Sequence, residues 1–161
     1  MIPSPRPGYP PVPEGLSEIM RVFGAFLFLD QPNGLVTPDQ EWVRGNIAEL
    51  KNVPVLKRPV SCHRKLAVPL RNVFKEIFEA NLAFAIKTCE GCYCPRYKMG
   101  DPQRELSAHA WGIAIDLNAS TNKPGSRGDM DERVIGIFRE HGFCWGGSFG
   151  DPMHFQFVIG Y

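Results

Sequence analysis

Apolar positions along the chain recur with two periods, one typical of helices and one typical of strands. Helical spacing predicts a first helix over residues 16–29 and a short second helix that begins at Pro38 and runs to about Leu50. The clearest helix follows residue 66, with Pro69 in its first turn. Its predicted buried stripe consists of Leu66, Leu70, Val73, Phe74, Ile77 and Phe78. A last helix is predicted to begin at a cap formed by Asp129.

Alternating segments predict four short strands, over residues 58–63, 82–87, 112–118 and 154–159. In the last one, His154, Gln156 and Val158 share one face. Residues 90–104 are rich in glycine, proline, cysteine and charge, which predicts a loop. Strands separated by helices and long loops indicate an α+β fold, with a small, mostly antiparallel sheet flanked by helices.

Length and composition fit one packed domain. The chain has 161 residues, of which 43% are hydrophobic and 22% charged. Residues 1–14 contain six prolines and are predicted to form an extended N-terminal arm. Residues 15–161 are predicted to form a single domain, which we expect to be monomeric.

The charge balance excludes one class of partner. A formal net charge of +1 gives no drive for phosphate binding, so we expect no nucleic acid partner. The stretch from Lys57 to Lys75 is locally basic. A solvated helix face is the favoured interpretation, and a patch for an anionic polymer is the alternative.

Neither a membrane span nor a secretion signal is expected. The longest apolar run, residues 22–29, is far shorter than the roughly 20 residues that cross a bilayer. The proline-rich beginning lacks the charged and apolar regions of a signal peptide. We therefore expect synthesis in the cytoplasm, without membrane insertion.

Candidate chemistry is concentrated at His109, Asp116 and His154. Two imidazoles and one carboxylate are ordinary zinc ligands, and three ligands leave a tetrahedral position open, as in catalytic sites. Strand alternation allows them to meet on one concave face of the sheet. Asp151, three residues before His154, is then near enough to handle the proton of a water at the open position. The alternative is that these are ordinary polar residues near the sheet ends.

Two separated motifs carry a family resemblance. Residues 107–116 read SAHAWGIAID, and residues 142–147 and 151–155 read GFCWGG and DPMHF. In order and spacing, both resemble signatures of the zinc D-alanyl-D-alanine carboxypeptidase and L-alanyl-D-glutamate endopeptidase family, which includes bacteriophage endolysins. The resemblance extends over about residues 60–157.

The resemblance implies roles for individual residues. His109, Asp116 and His154 would bind Zn²⁺, and Asp151 would be the general base. Arg96 aligns with an arginine that the family uses near its substrate, and Arg104 is the competing candidate.

Two further residues are candidates for substrate binding. Ser107 would bind substrate or, as we favour, brace His109. Trp145 is an aromatic of the core or a wall of the cleft.

The implied function is a zinc metallopeptidase that hydrolyses peptidoglycan stem peptides. The L-Ala–D-Glu bond is the first candidate, with action on the cell wall after release. The first alternative is D-Ala–D-Ala carboxypeptidase activity. The others are a non-catalytic, zinc-stabilised binding domain and a cysteine-based redox or metal-storage protein.

Three of the five cysteines form a cluster, Cys89, Cys92 and Cys94. They could bind a second, structural zinc, but the second C-x2-C pair of such sites is missing. Free thiols or a strained disulfide are the favoured alternative, and an odd number of cysteines cannot pair completely.

Overall fold

Helices and strands alternate along the chain in the computed structural model, which describes residues 6–161. The helices within this range are α1 (Gly15–Phe23), α2 (Gln40–Asn46), α3 (Ala67–Glu79) and α4 (Glu132–Glu140). The strands in the same range are β1 (Phe28–Asp30), β2 (Val36–Pro38), β3 (Ile47–Leu50), β4 (Val60–His63), β5 (Cys89–Gly91), β6 (Ala114–Leu117), β7 (Cys144–Trp145) and β8 (His154–Gln156). The predicted α+β class is confirmed.

All pairs among the strands of residues 6–161 are antiparallel. Strands β1 and β2 form one hairpin, β3 and β4 form a second pair, and the remaining strands form a sheet in the order β5-β6-β8-β7. Strands β6 and β8 are therefore the two central strands of this sheet. Each was predicted from its alternation. Strand β8 is shorter than the predicted range of residues 154–159, since it ends at Gln156.

Helices α3 and α4 bury one face of this sheet. Phe138 of α4 stacks on Phe155 of β8 with ring centroids 4.1 Å apart, and Phe74 of α3 meets Phe138 edge-on at 5.9 Å. All three rings are fully buried. Because neighbouring residues of a strand point to opposite faces, His154 and Gln156 lie on the other face of β8.

Three helix boundaries differ from the sequence prediction. Helix α1 ends at Phe23 because Gly24 leaves the helical region with φ of 93°, and residues 28–30 form β1 instead. Pro38 ends β2, and Asp39 caps α2 by accepting the N–H of Glu41 at 3.2 Å. Residues 47–50 then form β3 rather than the end of a helix.

The predicted cap of α4 was also wrong. Asp131, not Asp129, accepts the N–H of Arg133 at 2.9 Å. The carboxylate of Asp129 is occupied instead by Thr121 and Asn122, each 2.7 Å away.

The strand predicted over residues 82–87 is wrong. Residues Ala83–Ala85 form a 3-10 turn. The side chain of Asn118 takes the place of a neighbouring strand: its Oδ1 accepts the N–H of Lys87 at 2.7 Å, and its Nδ2 donates to Ala85 O at 2.7 Å. The predicted loop over residues 90–104 overlaps β5, which pairs with β6.

The described part of the N-terminal segment packs against the domain. Gly15 donates to Ile159 O and Ile159 donates to Pro13 O, each at 2.9 Å. Tyr9 and Val12 pack against the core. Residues 1–5 of the predicted arm lie outside the described residues, and the domain boundary stays a prediction. Among the described helices, none has the length and apolar character needed to cross a membrane.

Candidate metal centre

Asp116 and His154 are brought together by strand register. They are direct partners across the antiparallel pair β6–β8. Directly opposed residues of such a pair present their side chains on the same face of the sheet. His154 Nδ1 lies 3.0 Å from Asp116 Oδ1.

His109 reaches the same place from a 3-10 turn, Ala108–Trp111, that precedes β6. The hydroxyl of Ser107 accepts the His109 N–H at 3.3 Å and caps this turn. Gly112 ends it with φ of 68°, and a Cβ at that position would lie 2.6 Å from the backbone nitrogen of His63. Only glycine fits there, so the turn that aims His109 depends on Gly112.

In His109, the ring nitrogen that points away from Asp116 is held by a hydrogen bond. His109 Nδ1 lies 2.7 Å from the carbonyl oxygen of Cys92, so this nitrogen carries the proton and donates. Its Nε2 is left with a bare lone pair. Nε2 lies 3.1 Å from Asp116 Oδ2, yet it has no hydrogen-bond partner although it is buried.

The three side chains meet closely enough to hold one cation. One ligand atom each from His109, Asp116 and His154 lies within 4.8 Å of the others. His109 is 2% exposed and the side chain of Asp116 is 16% exposed. The lone pair of His109 Nε2 and a carboxylate oxygen of Asp116 face each other. A metal ion bound between these two atoms would satisfy both of them. These residues therefore fit a zinc ion.

The imidazoles also control the charge of Asp116. Burial alone would raise the pKa of this carboxyl, but the adjacent imidazoles of His109 and His154 lower it by more, so that its pKa lies well below the usual range. For His154, burial lowers the pKa, while Asp116 raises it more and leaves it above the ordinary value. Asp116 is thus an anion at neutral pH, the state that a metal ligand requires.

Asp151 lies in the loop before β8. Its backbone N–H donates to Gly146 O at 2.9 Å. Its Oδ1 is buried and has no hydrogen-bond partner. Burial raises the pKa of Asp151; the charge of Asp116 also raises it, whereas His154, His109 and Arg96 lower it. Asp151 therefore interacts electrostatically with the cluster, and one of its carboxylate oxygens has no hydrogen-bond partner.

The two candidate arginines, Arg96 and Arg104, differ in burial and in the groups that they contact. Arg96 is half-buried, and its charge acts on Asp151. Its backbone carbonyl accepts the N–H of Ser107 at 2.9 Å, which ties its loop to the turn of His109. The side chain of Arg104 is exposed and lies 3.5 Å from Asp101. The structure thus favours Arg96 over Arg104 as the arginine near the cluster.

Ser107 and Trp145 occupy supporting positions. Ser107 is buried, and its hydroxyl caps the turn of His109. Trp145 is half-buried, and its indole nitrogen donates to Pro152 O at 2.8 Å, which fixes the loop that contains Asp151. Their predicted contacts with substrate stay predictions.

No role for Gln156 was predicted from the sequence. Its Oε1 lies 3.0 Å from His154 Nε2, and its Nε2 donates to Val158 O at 3.4 Å and to Tyr161 O at 3.2 Å. One feature of the sequence indicated a contact: the alternation of residues 154–159 places Gln156 on the same face of the strand as His154. Nothing in the sequence indicated which atom of the imidazole it would contact.

All five cysteines are free thiols. Cys89 and Cys94 are exposed, whereas Cys92 is buried and its Sγ donates to Gly112 O at 3.2 Å. Burial raises the pKa of Cys92 well above its ordinary value. Over residues 6–161, only the His109, Asp116 and His154 group brings three metal-ligating atoms together. A second zinc on the cysteines is therefore not supported.

The chain matches a known protein family over part of its length. The family described as D-alanyl-D-alanine carboxypeptidase matches residues 100–157, a segment that contains the three candidate ligands and Asp151. Arg96 lies outside it. No curated protein and no solved structure matches the chain significantly.

Proposed function

We propose that the chain is a peptidase that hydrolyses an amide bond of peptidoglycan stem peptides, because residues 100–157 match the D-alanyl-D-alanine carboxypeptidase family. The zinc ion that this family requires would be held by His109, Asp116 and His154. The observation that carries the proposal is the meeting of three ligand atoms within 4.8 Å, near an unpartnered carboxylate oxygen of Asp151.

When bound, zinc supplies Lewis acidity that polarises the scissile carbonyl and makes water acidic enough to act as a nucleophile near neutral pH. The protein holds the site in the required state. Asp116 is anionic, and the hydrogen bond from His109 to Cys92 directs a bare imidazole nitrogen toward Asp116, where these residues would hold the ion.

Asp151 handles the proton. Its buried Oδ1 accepts a proton from the attacking water and delivers it to the nitrogen of the leaving amine, so that the broken amide becomes a carboxylate and an amine. Burial raises the pKa of Asp151, which brings this carboxyl nearer to the pH at which both transfers are efficient.

Arg96 assists with charge. Its charge lowers the pKa of Asp151, so its guanidinium lies near the proposed base. There it would stabilise the oxyanion that develops during attack or hold a carboxylate of the substrate.

We propose the L-Ala–D-Glu bond as the substrate bond, as in the endolysins that the motifs resemble. The description of the matched family favours a second candidate, the D-Ala–D-Ala bond. In either case the proposed target is the cell wall, reached after release from the cytoplasm. Residues 15–161 would form the single catalytic domain.

The test is mass spectrometry of muropeptides after digestion of purified peptidoglycan. We expect cleavage by the zinc-loaded protein and none in the presence of a chelator. Products that end in L-Ala, with a new amino terminus on D-Glu, identify the first bond. Loss of a single D-Ala identifies the second. Intact muropeptides under all conditions would overturn the proposal.

Asp151→Asn tests the proton transfer. It should lower kcat by at least about 100-fold, the typical contribution of a general base, while the protein still binds zinc. Asp101→Asn is the matched control, since Asp101 is an aspartate of the same matched segment that lies outside the metal cluster and pairs with Arg104. Undiminished hydrolysis by Asp151→Asn would show that another group moves the proton.

A further inference from the structure

The loop that contains the proposed base packs against a second loop, residues 118–131, which we call the supporting loop. Two contacts join these loops. The N–H of Gly125 donates to Gly150 O at 2.7 Å, and Gly128 packs against the ring of Pro152. Gly150 and Pro152 are the residues immediately before and after the base. The supporting loop therefore contacts the chain on both sides of it.

The buried amide of Asn122 determines the shape of the supporting loop. The side chain of Asn122 is fully buried. Its Nδ2 donates to Asn118 O at 3.0 Å and lies 2.7 Å from Asp129 Oδ1, and its Oδ1 accepts the N–H of Asp129 at 3.0 Å. One side chain thus joins the beginning of the loop to a residue near its end. Because a buried amide that loses its hydrogen bonds is costly, these bonds hold the loop in one shape.

Gly128 connects this shape to Pro152. A Cβ at position 128 would lie 2.4 Å from Asn122 Oδ1 and 2.8 Å from Pro152 Cβ. Neither neighbour can move away easily, since Asn122 is held by its hydrogen bonds and Pro152 is buried. Gly128 also has φ of 69°, which glycine adopts readily. Only glycine therefore fits between these two residues.

Pro152 is held from another side as well. Its carbonyl oxygen accepts the indole N–H of Trp145 at 2.8 Å. The N–H of Asp151, the residue before it, donates to Gly146 O at 2.9 Å. A displacement of Pro152 would therefore strain these bonds and displace the backbone that carries the Asp151 carboxylate.

From these contacts we infer that Asn122 and Gly128 are positioning residues for Asp151, on which they act through Pro152. This inference rests on the proposed function and adds two residues to the site. A misplacement of about 1 Å can lower the rate of a reaction about 100-fold. Neither residue is among the three candidate metal ligands. Changes at Asn122 and Gly128 should therefore lower turnover rather than metal affinity.

The first experiment uses Gly128→Ala, which adds the Cβ that collides with Pro152. In steady-state kinetics of the zinc-loaded protein on a synthetic stem peptide, kcat should fall by about 10- to 100-fold. KM and the Kd for zinc should both stay within about threefold of the wild type, because a group that acts only in the transition state affects kcat. An unchanged kcat, even with a lower Tm, would make the contact purely structural and overturn the inference.

Gly125→Ala provides a closely matched control. Gly125 belongs to the same loop and has φ of 80°, so alanine brings a similar backbone strain, but its Cβ would meet nothing within 4 Å. Alanine also keeps the N–H that donates to Gly150 O. This variant should retain kcat within about twofold. An equal loss of kcat in both variants would assign the effect to strain in the loop and overturn the inference.

Asn122→Ala is a second variant, which removes the support of Gly128 without adding an atom. It should lower kcat about tenfold, with KM and zinc affinity nearly unchanged. Ser126→Ala is its control, since the Ser126 hydroxyl donates to Lys123 O at 2.7 Å within the same loop and is exposed. Wild-type turnover by Asn122→Ala would overturn the role of Asn122, also where Gly128→Ala does not fold.

Hydrogen exchange separates this inference from the proposed function. The amide proton of Asp151, observed by NMR in the protein without metal, is protected by its bond to Gly146 O. It should exchange about tenfold faster in Gly128→Ala and at the wild-type rate in Gly125→Ala. If the wild type hydrolyses no stem peptide but this contrast is found, the proposed function fails and the support of Asp151 stands. Equal exchange in all three proteins would overturn that support.

Discussion

His154 and Gln156, two residues apart on β8, are joined by a hydrogen bond of 3.0 Å between Nε2 of the imidazole and Oε1 of the amide. The amide nitrogen of Gln156 faces the carbonyl oxygens of Val158 and Tyr161, which fixes the orientation of the amide. Gln156 therefore accepts the Nε2 proton, and Nδ1 of His154 is left free to face Asp116 and a metal ion.

Removing this acceptor should weaken zinc binding. We expect Gln156→Leu to lower zinc affinity by about 10- to 100-fold, the usual effect of losing a hydrogen bond to a metal-ligating imidazole. Competition with a chromophoric zinc chelator measures this directly. Gln156→Glu keeps an oxygen acceptor for His154 and should retain affinity within a few fold.

A purely structural role of Gln156 would give a different result. Both variants lose the weaker bonds to Val158 and Tyr161, so both should be somewhat less stable without metal. If the two variants bound zinc equally well, Gln156 would have no part in orienting His154.

The three ligands should act together in coupling metal binding to stability. A ligand that binds only the folded state adds about 2.7 kcal/mol at a free concentration of 100 times its Kd. We therefore expect zinc to raise the Tm of the wild type, and His109→Ala, Asp116→Ala and His154→Ala to abolish most of this increase. Differential scanning fluorimetry with and without a chelator measures it.

His141→Gln is the matched control for these variants. His141 is also a buried histidine near a carboxylate, with Nε2 2.7 Å from Glu76, but it lies outside the metal cluster. Its Tm should still rise with zinc. An equal increase in the ligand variants would mean that zinc stabilises the protein elsewhere.

The sequence predicted the parts of the protein in which local pattern and tertiary environment agree. Alternation located β6 and β8, and the ligand types at His109, Asp116 and His154 indicated the cluster that the structure brings together. Helix α3 was predicted for the same reason, since its apolar stripe matches the helical period.

The parts that were missed depend on distant partners. Strand β5 has only three residues and exists because it pairs with β6. Residues 82–87 were predicted as a strand, but residues 83–85 form a 3-10 turn, and the side chain of Asn118 satisfies the backbone nearby. The contact between Cys92 and His109 involves a backbone carbonyl, which has no signature in side-chain identity.

Two phenylalanines of the helices should differ sharply in their contribution to stability. Phe138 is fully buried and stacks on Phe155, so Phe138→Ala should lower the free energy of unfolding by about 3–5 kcal/mol. Phe78 was predicted to be in the buried stripe of α3, but it is 62% exposed. Phe78→Ala should change stability by less than about 0.5 kcal/mol.

Urea denaturation of both variants, monitored by tryptophan fluorescence, tests this contrast. Equal losses would mean that Phe78 is covered in solution, for example by another molecule. A small loss for Phe138→Ala would contradict the packing of α4 on β8.

His63 should make stability depend on pH. It is fully buried, with Nε2 3.0 Å from Phe23 O, and burial lowers its pKa from 6.5 to about 4. Between these values the unfolded chain binds a proton that the folded protein excludes. The free energy of unfolding should therefore fall as the pH decreases from about 6.5 to 4, by up to about 1.4 kcal/mol per pH unit from this residue.

The comparison of wild type with His63→Gln isolates this contribution. Glutamine does not titrate, and it keeps a donor for Phe23 O. Urea denaturation of both proteins at several pH values between 7 and 4, with a chelator present so that metal release adds nothing, gives the two slopes. The variant should be less stable at pH 7, and the gap should narrow as the pH falls. Parallel slopes would show that His63 is protonated in the folded protein, contrary to its buried environment.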